Sequence, residues 1–563
     1  MRLENSVAVF KYLIASILVG VILGIGGAFA AQGFRSGIVI ISNYAEKLFG
    51  QDPNFFFYLI TLSVALILVH YSRSLVNGKP FQSVADSIYL AHKSNNETDL
   101  KVGFISTLAA FFSASGGASI GQYGPLVHFG TTLGAWLKKT VPFNFTPDLY
   151  IGAGVAASIS SGFGAPLAGL IFAHEAILRH YSHKSILAIA TASGISYAVS
   201  TGIWGDTNII NVSSENFNLL LILVISFLAG PIFGLIAIIY MKSLLLFANL
   251  ANSPKVRVFY KYSFCILSLS IIGHFMPEVM GLGTETVSGI LYSSYTLIFL
   301  VIILLGKIIA TSISLNFGFF GGVFSPAILV GAAAGAVVSA LLVTLGIFED
   351  FQQALVISGI AAVAGAVIGA PICMVIIVLE LTNSYAYALA SLVGLAISVG
   401  YVQVRFGSSY FDVQLLNRGI DISDGRTGLF MTETDILRFA DPNFNTIKES
   451  ETVADAISLM SKIDQSELIV VNQSGEFVGK TNSLSLFNKQ GPLSSVDVID
   501  KDCVFIKHDA SVQSAMEIAS DFVGEIIPIV QTDQNKAVAI ITEGAIFQAY
   551  LSKQSQTVEM EKR

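Results

Sequence analysis

Long apolar stretches dominate this sequence and restrict its fold more strongly than any other feature. A membrane-spanning helix needs about 20 consecutive apolar residues. Only 12% of the 563 residues are charged, whereas soluble domains average about 25%. We therefore expect a polytopic membrane protein, in which the N-terminal run is an uncleaved helix rather than a secretory signal. The apolar stretches are 12–31, 55–70, 219–248, 292–306, 327–348 and 372–402.

Charge divides the chain into two regions near residue 420. Residues 421–563 hold 12 Lys and Arg against 22 Asp and Glu, whereas residues 1–420 hold 19 against 16. Such an abrupt shift marks a domain boundary, so we expect a membrane domain over 1–420 followed by a soluble, acidic region. Neither region is basic enough to indicate nucleic-acid binding. The three cysteines lack the spacing of a metal site or a disulfide framework.

The membrane domain contains an internal repeat. The segment GVAASISSGFGAPLAGLIFAHE at 154–175 matches GIAAVAGAVIGAPICMVIIVLE at 359–380, an offset of 205 residues. The segment PLVHFGTTLG at 125–134 matches PAILVGAAAG at 326–335, an offset of 201 residues. Matches in the same order at nearly one offset indicate a duplication, with halves at about 1–210 and 215–420.

Some apolar segments are too short to cross a membrane alone, among them 103–112 and 125–137. Short segments interrupted by Gly and Pro at corresponding positions of two halves indicate a transport site at their interface. Broken helices occur at membrane depth only where they line a cavity or are buried in protein. Their N-termini present free N–H groups and a partial positive charge, which favours an anion. Their C-termini would serve a cation, so both signs of ion remain open at this point.

Four segments of the membrane domain resemble the CLC family of chloride channels and chloride/proton exchangers. They are LVNGKP (75–80), SGGASIGQYGPLVHFG (115–130), GGVFSPAILVGAAAG (321–335) and the repeated pair that ends in Glu175 and Glu380. The resemblance covers residues 1–420. It implies an all-α polytopic membrane protein with inverted internal repeats and broken helices, assembled as a homodimer with one anion pore in each subunit.

The resemblance places the anion ligands at helix N-termini and near the end of the membrane domain. Glycine at such positions lets backbone N–H groups approach an ion closely, and proline in a first helical turn sacrifices no bonded donor. The alternative is that these residues only permit tight helix packing. The implied anion-binding residues are Asn77, Gly78, Gln122, Tyr123, Gly124, Val323, Phe324, Tyr410 and Phe411.

Two side-chain donors differ from the family pattern. Asn77 stands where the family usually has a serine, and its amide can also donate to an anion. Phe411 aligns with a family tyrosine whose hydroxyl donates to the same ion, and Tyr410 precedes it. Either Tyr410 supplies this hydroxyl through a shift in register, or the donor is absent. Altered ligands leave fluoride specialisation open as well.

Exchangers of this family have a glutamate at the position of Tyr123. Its carboxylate competes with chloride for the outer anion site and carries protons. A phenol has an ordinary pKa near ~10, so we expect Tyr123 to remain neutral and to carry no protons. Its ring is the predicted gate of the pore. The alternatives are that its hydroxyl donates to the anion, or that the ring only packs against neighbouring helices.

The second proton-carrying glutamate of the exchangers is also replaced, by Ala176. Glu175 matches the preceding acidic position, which the family also has in its channels, and we expect it to be structural. His174 is the remaining candidate for a proton pathway, because histidine titrates near neutral pH. Lys307 lies within an apolar segment and is predicted either to attract anions toward the inner vestibule or to snorkel to the membrane surface.

The C-terminal region resembles a tandem pair of CBS domains, at 427–490 and 491–563. Each half shows an amphipathic helix followed by two apolar strands, as in TVADAISLMSKI (452–463) and ELIVVNQSGEFVGK (467–480). Such pairs commonly bind adenine nucleotides through an aspartate after the second strand. The matching stretches lack that aspartate, and Glu543 is a poor substitute. We therefore expect a structural or dimer-stabilising module rather than a nucleotide site.

Taken together, the residues predict passive conduction of chloride or a similar small anion through a membrane protein with a cytoplasmic C-terminal domain. No enzymatic chemistry and no required cofactor are expected, since no nucleophile–base arrangement is present. Two other hypotheses stay open. One is a coupled anion/proton exchanger that uses an unrecognised carrier such as His174. The other is a membrane sensor whose pore is sealed by Tyr123 and whose CBS pair performs the function.

Overall fold

The computed structural model describes residues 2–562 except 50–53, 94–97, 142, 144, 182–183, 206–217, 254–256, 293, 347–350 and 424. Side chains are described from residue 10 to residue 555. The chain divides into two compact units, Met1–Gly419 and Ile420–Arg563. The predicted boundary between the two halves of the membrane domain, at 210–215, lies outside the described residues.

The first unit is helical. A π-helical turn at Ala173–Leu178 extends α7, and a short 3₁₀ turn at Pro277–Val279 precedes α11. The helices are α1 (Arg2–Phe49), α2 (Phe55–Leu75), α3 (Val84–His92), α4 (Leu100–Ser115), α5 (Tyr123–Thr140), α6 (Pro147–Phe163), α7 (Pro166–Phe172), α8 (Ile186–Trp204), α9 (Leu219–Ala251), α10 (Val258–Phe275), α11 (Thr284–Leu291), α12 (Leu297–Phe317), α13 (Phe324–Thr344), α14 (Gln352–Ile368), α15 (Pro371–Thr382), α16 (Tyr385–Arg405) and α17 (Tyr410–Leu416).

Among the described residues, eight helical segments are long and apolar enough to cross a membrane. Four shorter apolar helical segments, which include α4, α14 and α15, accompany them. The outward-facing side chains of the long helices are apolar, as on α1 and α9. Such a surface is stable only in hydrocarbon, in agreement with the low proportion of charged residues.

The two repeated segments form the same helix pair in each half. In the first half, Gly130 of α5 and Gly154 of α6 pack so closely that a Cβ on either glycine would lie 2.2 Å or less from the other's carbonyl oxygen. In the second half, Gly331 of α13 and Gly359 of α14 make the same contact, at 2.4 Å in both directions. Glycine is required at these four positions because any side chain would force the helices apart.

The second unit contains two small sheets of the same topology, each with a parallel pair and an antiparallel pair of strands. Short 3₁₀ turns lie at Ile436–Phe439 and Leu493–Ser495. The elements are α18 (Gly425–Glu433), β1 (Thr446–Lys448), α19 (Val453–Ile463), β2 (Glu467–Val471), β3 (Phe477–Asn482), α20 (Ser483–Leu486), β4 (Ile506–Lys507), α21 (Val512–Ala519), β5 (Ile527–Gln531), β6 (Lys536–Ile541) and α22 (Glu543–Lys562).

A buried ion pair within the first repeat of this unit is also hydrogen-bonded to the second repeat. Lys480 Nζ lies 2.9 Å from Glu467 Oε2, and both side chains are less than a tenth exposed. The same carboxylate oxygen accepts the backbone N–H groups of Glu525 and Ile526 at 3.0 Å. The ammonium group also lies 4.7 Å from the ring centroid of Phe522. Contacts from both repeats therefore satisfy the pair, as a buried charge requires.

Candidate functional site

The loops that precede α5 and α13 pair with each other through reciprocal hydrogen bonds. Gly121 N–H donates to the Gly322 carbonyl at 2.7 Å, and Gly322 N–H donates to the Gly121 carbonyl at 2.8 Å. A Cβ on Gly322 would lie only 3.0 Å from the amide nitrogen of Gly124. The contact brings the beginnings of α5 and α13, which are equivalent in the repeat, together at the centre of the unit.

A cavity of about 130 Å³ lies beside this contact. The first turns of three helices meet at it: Ser83 and Val84 of α3, Gly124 of α5 and Val323 of α13. The beginning of α17 adds Tyr410 and Phe411. The first N–H groups of a helix have no partner within the helix and carry a partial positive charge. Their convergence makes the cavity electrostatically favourable for an anion.

Side chains around this cavity supply further polar groups. The Tyr410 hydroxyl accepts from Gln414 Nε2 at 3.1 Å, which leaves its own proton free to donate. The Ser83 hydroxyl lies 3.1 Å from Asp86 Oδ2, and Asp86 is paired with Arg418 at 2.8 Å. Among the described lining residues, Arg418 is the only one with an ionisable charge at neutral pH. The cavity therefore combines hydroxyl donors with a cation at its edge.

Four of the nine predicted anion ligands line this cavity: Gly124, Val323, Tyr410 and Phe411. Gln122, Tyr123 and Phe324 are buried in the same region without lining it. The backbone N–H of Gln122 is engaged by the Ser325 hydroxyl at 3.3 Å. Tyr410 and Phe411 both face the cavity, so the tyrosine hydroxyl that the alignment left in doubt has a candidate in Tyr410.

The placement of Asn77 and Gly78 differs from the prediction. Both residues lie in an exposed turn after α2, with φ of 55° and 73°, and neither lines the cavity. The next helix begins only at Val84. Ser83, which sequence reasoning missed, occupies the cavity wall instead. Its signal was the capping box formed with Asp86, the S-x-x-D pattern that marks a helix N-terminus.

Tyr123 forms the centre of an aromatic cluster. Its ring stacks on Phe163 with centroids 3.7 Å apart and planes 15° apart, and Phe324 contacts it at 5.5 Å. The side chain is only 2% exposed. Tyr123 lines a second, smaller cavity of about 30 Å³, together with Phe163 and Ser325. The first turn of α5 thus borders both cavities, with Gly124 at the larger one and Tyr123 at the smaller one.

Each of the two repeated glutamates accepts hydrogen bonds from the opposite half of the membrane domain. Glu175 accepts the N–H groups of Ile372 and Cys373, at 2.9 and 2.7 Å, at the beginning of α15. Glu380 accepts those of Leu167 and Ala168, at 2.7 and 2.8 Å, at the beginning of α7. A carboxylate at a helix N-terminus satisfies unpaired donors and the helix dipole. The geometry therefore supports a structural role for Glu175.

His174 and Lys307 are both buried. His174 Nδ1 donates to the His180 carbonyl at 3.0 Å, and its ring stacks on Tyr181. Lys307 donates to the carbonyls of Val279 and Gly281, at 3.0 and 2.9 Å. The prediction that Lys307 snorkels is wrong, because its ammonium group instead holds the segment before α11. Among the described residues, no cluster of three or more His, Cys, Asp or Glu side chains could hold a metal ion.

Two interlocked halves of membrane helices, with helix N-termini gathered around a cavity at their junction, define a membrane transport protein. The model of the voltage gated chloride channel family matches residues 62–403, and the chain belongs to this family, known as CLC. The CBS domain model matches residues 432–479 and 495–552. The predicted family, fold class and membrane location are thereby confirmed.

Similar proteins include some named as exchangers and some named as channels. The H(+)/Cl(-) exchange transporter ClcA of Vibrio parahaemolyticus is 26% identical over 331 residues, which cover 57% of this chain and 69% of that protein. The chloride channel protein CLC-f of Arabidopsis thaliana is 23% identical over 580 residues, which cover 97% of this chain and 70% of that protein. These names alone do not choose between the two activities.

Solved structures show the same fold. The crystal structure of a slow cyanobacterial Cl⁻/H⁺ antiporter matches with a TM-score of 0.63 at 20% identity and covers 72% of this chain and 98% of its own. The crystal structure of a eukaryotic CLC transporter matches with a TM-score of 0.61 at 16% identity and covers 95% of this chain and 98% of its own. The second match extends over both units of the present chain.

Proposed function

We propose that this protein conducts chloride or a similar small anion passively, through one pore in each subunit of a homodimer. The observation that carries the proposal is the cavity of about 130 Å³ at which the N-termini of α3, α5 and α13 meet. No acidic side chain lines it among the described residues. Family membership supplies the coarser statement that the chain is a transporter or a channel.

The anion ligands in this proposal are backbone N–H groups and hydroxyls. The first-turn N–H groups of α5 and α13, at Gly124 and Val323, replace part of the hydration shell of the ion. The Tyr410 hydroxyl donates directly, and the Ser83 hydroxyl turns from Asp86 to the ion when the site is filled. Arg418 raises the local anion concentration at the edge of the cavity.

The passive character of the proposed transport follows from the residues that replace the proton carriers of the family. Tyr123 and Ala176 stand where exchangers have glutamates, and neither carries protons near neutral pH. Both oxygens of Glu175 are engaged by backbone donors. With tyrosine and alanine at the two positions where exchangers have proton-carrying glutamates, anion passage is not linked to a proton.

Tyr123 acts as the gate in this proposal. Its ring lines the smaller cavity, next in sequence to Gly124 of the larger one, and stacks on Phe163 at 3.7 Å. An anion passes from one cavity to the other only when the ring leaves this stack. The hydroxyl is not required for closure, since the ring alone fills the space.

The proposal is tested by anion efflux from liposomes with simultaneous recording of pH. The native protein is expected to release chloride without any linked movement of protons, and Tyr123→Ala to release it faster. Tyr123→Phe is the matched control, because it keeps the ring and removes only the hydroxyl. A fixed ratio of anions to protons in the native protein would overturn the proposal. Comparing fluoride with chloride efflux in the same liposomes identifies the preferred ion.

A coupled exchanger is the second candidate function. It is favoured by the relatives named as H(+)/Cl(-) exchange transporters and by His174, whose Nε2 atom is buried without a hydrogen-bond partner among the described residues. This candidate predicts proton uptake driven by a chloride gradient, and loss of that uptake in His174→Ala.

A membrane sensor with a sealed pore predicts negligible anion flux in the native protein and flux only in Tyr123→Ala.

The homodimer and the tail belong to the same proposal. Large apolar side chains at the surface of α7, α15 and α16, such as Leu167, Ile372 and Tyr385, suit a contact with a second copy or with lipid. Mass measurement in detergent distinguishes contact with a second copy from contact with lipid.

The CBS pair is assigned a structural role, since Glu543 is exposed at the beginning of α22 and no aspartate directly follows β3 or β6. Calorimetric titration of the full chain with AMP and ATP is expected to give no binding heat.

A further inference from the structure

His128 is a buried residue to which the proposed function gives no role. It lies in α5, one turn after Gly124, and is 2% exposed. One of its ring nitrogens has a partner in α3, and the other has a partner on the segment that leads into α3. Nδ1 lies 2.8 Å from the Ser87 hydroxyl, and Nε2 lies 3.2 Å from Gln82 Oε1. A histidine on an apolar helix that is satisfied at both nitrogens fixes two elements relative to each other.

The pattern of donors and acceptors assigns a direction to each bond. Gln82 Oε1 only accepts, so Nε2–H donates to it, and Nδ1 of the neutral ring then accepts from the Ser87 hydroxyl. Thr132, one turn further along α5, places its hydroxyl 3.4 Å from Nε2 but donates it to the His128 carbonyl at 2.9 Å. The ring is therefore oriented by two bonds across the α3–α5 contact.

These partners flank Ser83, the residue at the N-terminus of α3 that lines the cavity. Gln82 directly precedes Ser83, and Ser87 lies one turn after Ser83 in α3. The backbone N–H of Gln82 is held in turn by the Ser106 hydroxyl of α4 at 2.9 Å. Before and after Ser83, the chain is thus anchored to α5 and α4. Gly124, on the same helix as His128, also lines this cavity.

We propose that His128 is a positioning residue for the anion cavity, which holds the N-terminus of α3 against α5 so that Ser83 and Gly124 face one ion together. The inference rests on the proposed function, because it assumes that the cavity binds the transported anion. His128 does not touch the ion. Its effect passes through Gln82 and Ser87, and its loss widens the gap between two helix N-termini without removing either.

The experiment measures the chloride dependence of efflux from liposomes for His128→Leu and His128→Gln. Leucine removes both bonds, and the half-saturating chloride concentration is expected to rise about five- to tenfold, the effect of losing about one buried hydrogen bond at the site. Glutamine retains a donor and an acceptor and is expected to restore the native value. The maximal rate changes less than the half-saturating concentration, because the gate is not altered. His274→Leu, an exposed histidine of α10, is the matched control.

A purely structural histidine would give a different result. His128→Leu would then lower the amount of folded protein and the maximal rate, with the half-saturating concentration unchanged, and that outcome overturns the inference. If His128→Leu does not fold, Gln82→Leu and Ser87→Ala each remove one of the two bonds and carry the same test. Unchanged chloride dependence in both of them also overturns it.

Ser83→Ala separates failure of this inference from failure of the proposed function. If Ser83→Ala leaves chloride dependence and selectivity unchanged, the assignment of the cavity as the anion site is wrong. If Ser83→Ala shifts the chloride dependence and the His128 and Gln82 variants do not, only the positioning role is wrong. When both shift it, the double variant Ser83→Ala/His128→Leu is expected to add little to either single change, since both act on one contact.

Discussion

Replacement of Glu175 and Glu380 by glutamine tests whether the repeated glutamates are structural supports or proton carriers. Each carboxylate caps the first turn of a helix in the opposite half, through two bonds of 2.7–2.9 Å. The two sites are equivalent in the repeat and nearly identical in geometry. A structural role therefore predicts the same consequence for both substitutions, whereas a proton-carrying role predicts an effect at Glu175 alone.

The size of the effect follows from the bonds that are lost. A glutamine side chain keeps one carbonyl acceptor but turns an amide donor toward the second backbone N–H. The loss of one hydrogen bond to a charged group is worth about 1.5–3 kcal/mol, and the interaction of the carboxylate with the helix N-terminus adds about 0.3–1 kcal/mol. Both glutamates are only half-buried, which reduces these values, so we expect about 2 kcal/mol of destabilisation for each variant.

The assay combines thermal stability in detergent with flux. Both variants are expected to lower the midpoint of thermal denaturation by similar amounts, while chloride efflux in liposomes remains unlinked to protons. Glu285→Gln, which removes an exposed carboxylate from the first turn of α11, is the matched control and should leave the midpoint unchanged. The reasoning is refuted if Glu175→Gln abolishes a proton movement present in the native protein, or if only one of the two variants is destabilised.

Three further predictions follow from buried charges and thiols. Lys480→Met leaves Glu467 buried and unpaired at a cost of about 3–5 kcal/mol, so proteolysis of the tail in the full chain should accelerate, and it should not do so in the exposed-site control Lys489→Met. Lys307→Met deprives the Gly281 carbonyl of its donor and is expected to lower thermal stability by about 2 kcal/mol; reduced efflux at unchanged stability would instead indicate electrostatic attraction of anions. Burial raises the pKa of the Cys503 thiol to about 11, and because the thiolate is the reactive form, maleimide at pH 7–8 should label Cys503 only after unfolding. Labelling of the native protein at Cys503 would show that the site is open.

The sequence predicted those features that depend on spacing along one chain. Offsets of 201 and 205 residues revealed the repeat. In the structure, Gly121 and Gly322 form reciprocal hydrogen bonds, and Glu175 and Glu380 each accept backbone N–H groups at the beginning of a helix in the opposite half. The substitution of Tyr123 for a glutamate was visible for the same reason. The stacking of Tyr123 on Phe163 was not visible, because Tyr123 begins α5 and Phe163 ends α6, so the two residues meet only in the folded chain.

Asn77 and Gly78 were predicted to bind the anion but do not line the cavity, and the reason is specific. Asn77 and Gly78 were aligned with a glycine- and proline-containing motif, although that motif marks only a turn in this chain. The residue that lines the cavity is the one directly before the next helix, and it lies six residues after Asn77, at Ser83. A search for the capping box S-x-x-D would have found it. In this chain, the beginning of the helix was a better guide to the cavity wall than the glycine-containing motif.

The aromatic gate sets how often the proposed pore is open. Moving the Tyr123 ring out of its buried site gives up about 1.5–3 kcal/mol of burial, and breaking its stack on Phe163 gives up about 0.5–1.5 kcal/mol more. A total near 3 kcal/mol corresponds to an open population of roughly 1%, because each 1.4 kcal/mol is a factor of ten.

Removal of the ring in Tyr123→Ala should therefore raise chloride efflux by up to about a hundredfold. Tyr123→Phe keeps the stack on Phe163 and should change efflux by less than about threefold, because the hydroxyl takes no part in that stack. Equal efflux in the native protein and in Tyr123→Ala would mean that the ring does not obstruct the path. The barrier would then have to lie at the larger cavity itself, where Ser83 and Tyr410 are the proposed side-chain ligands.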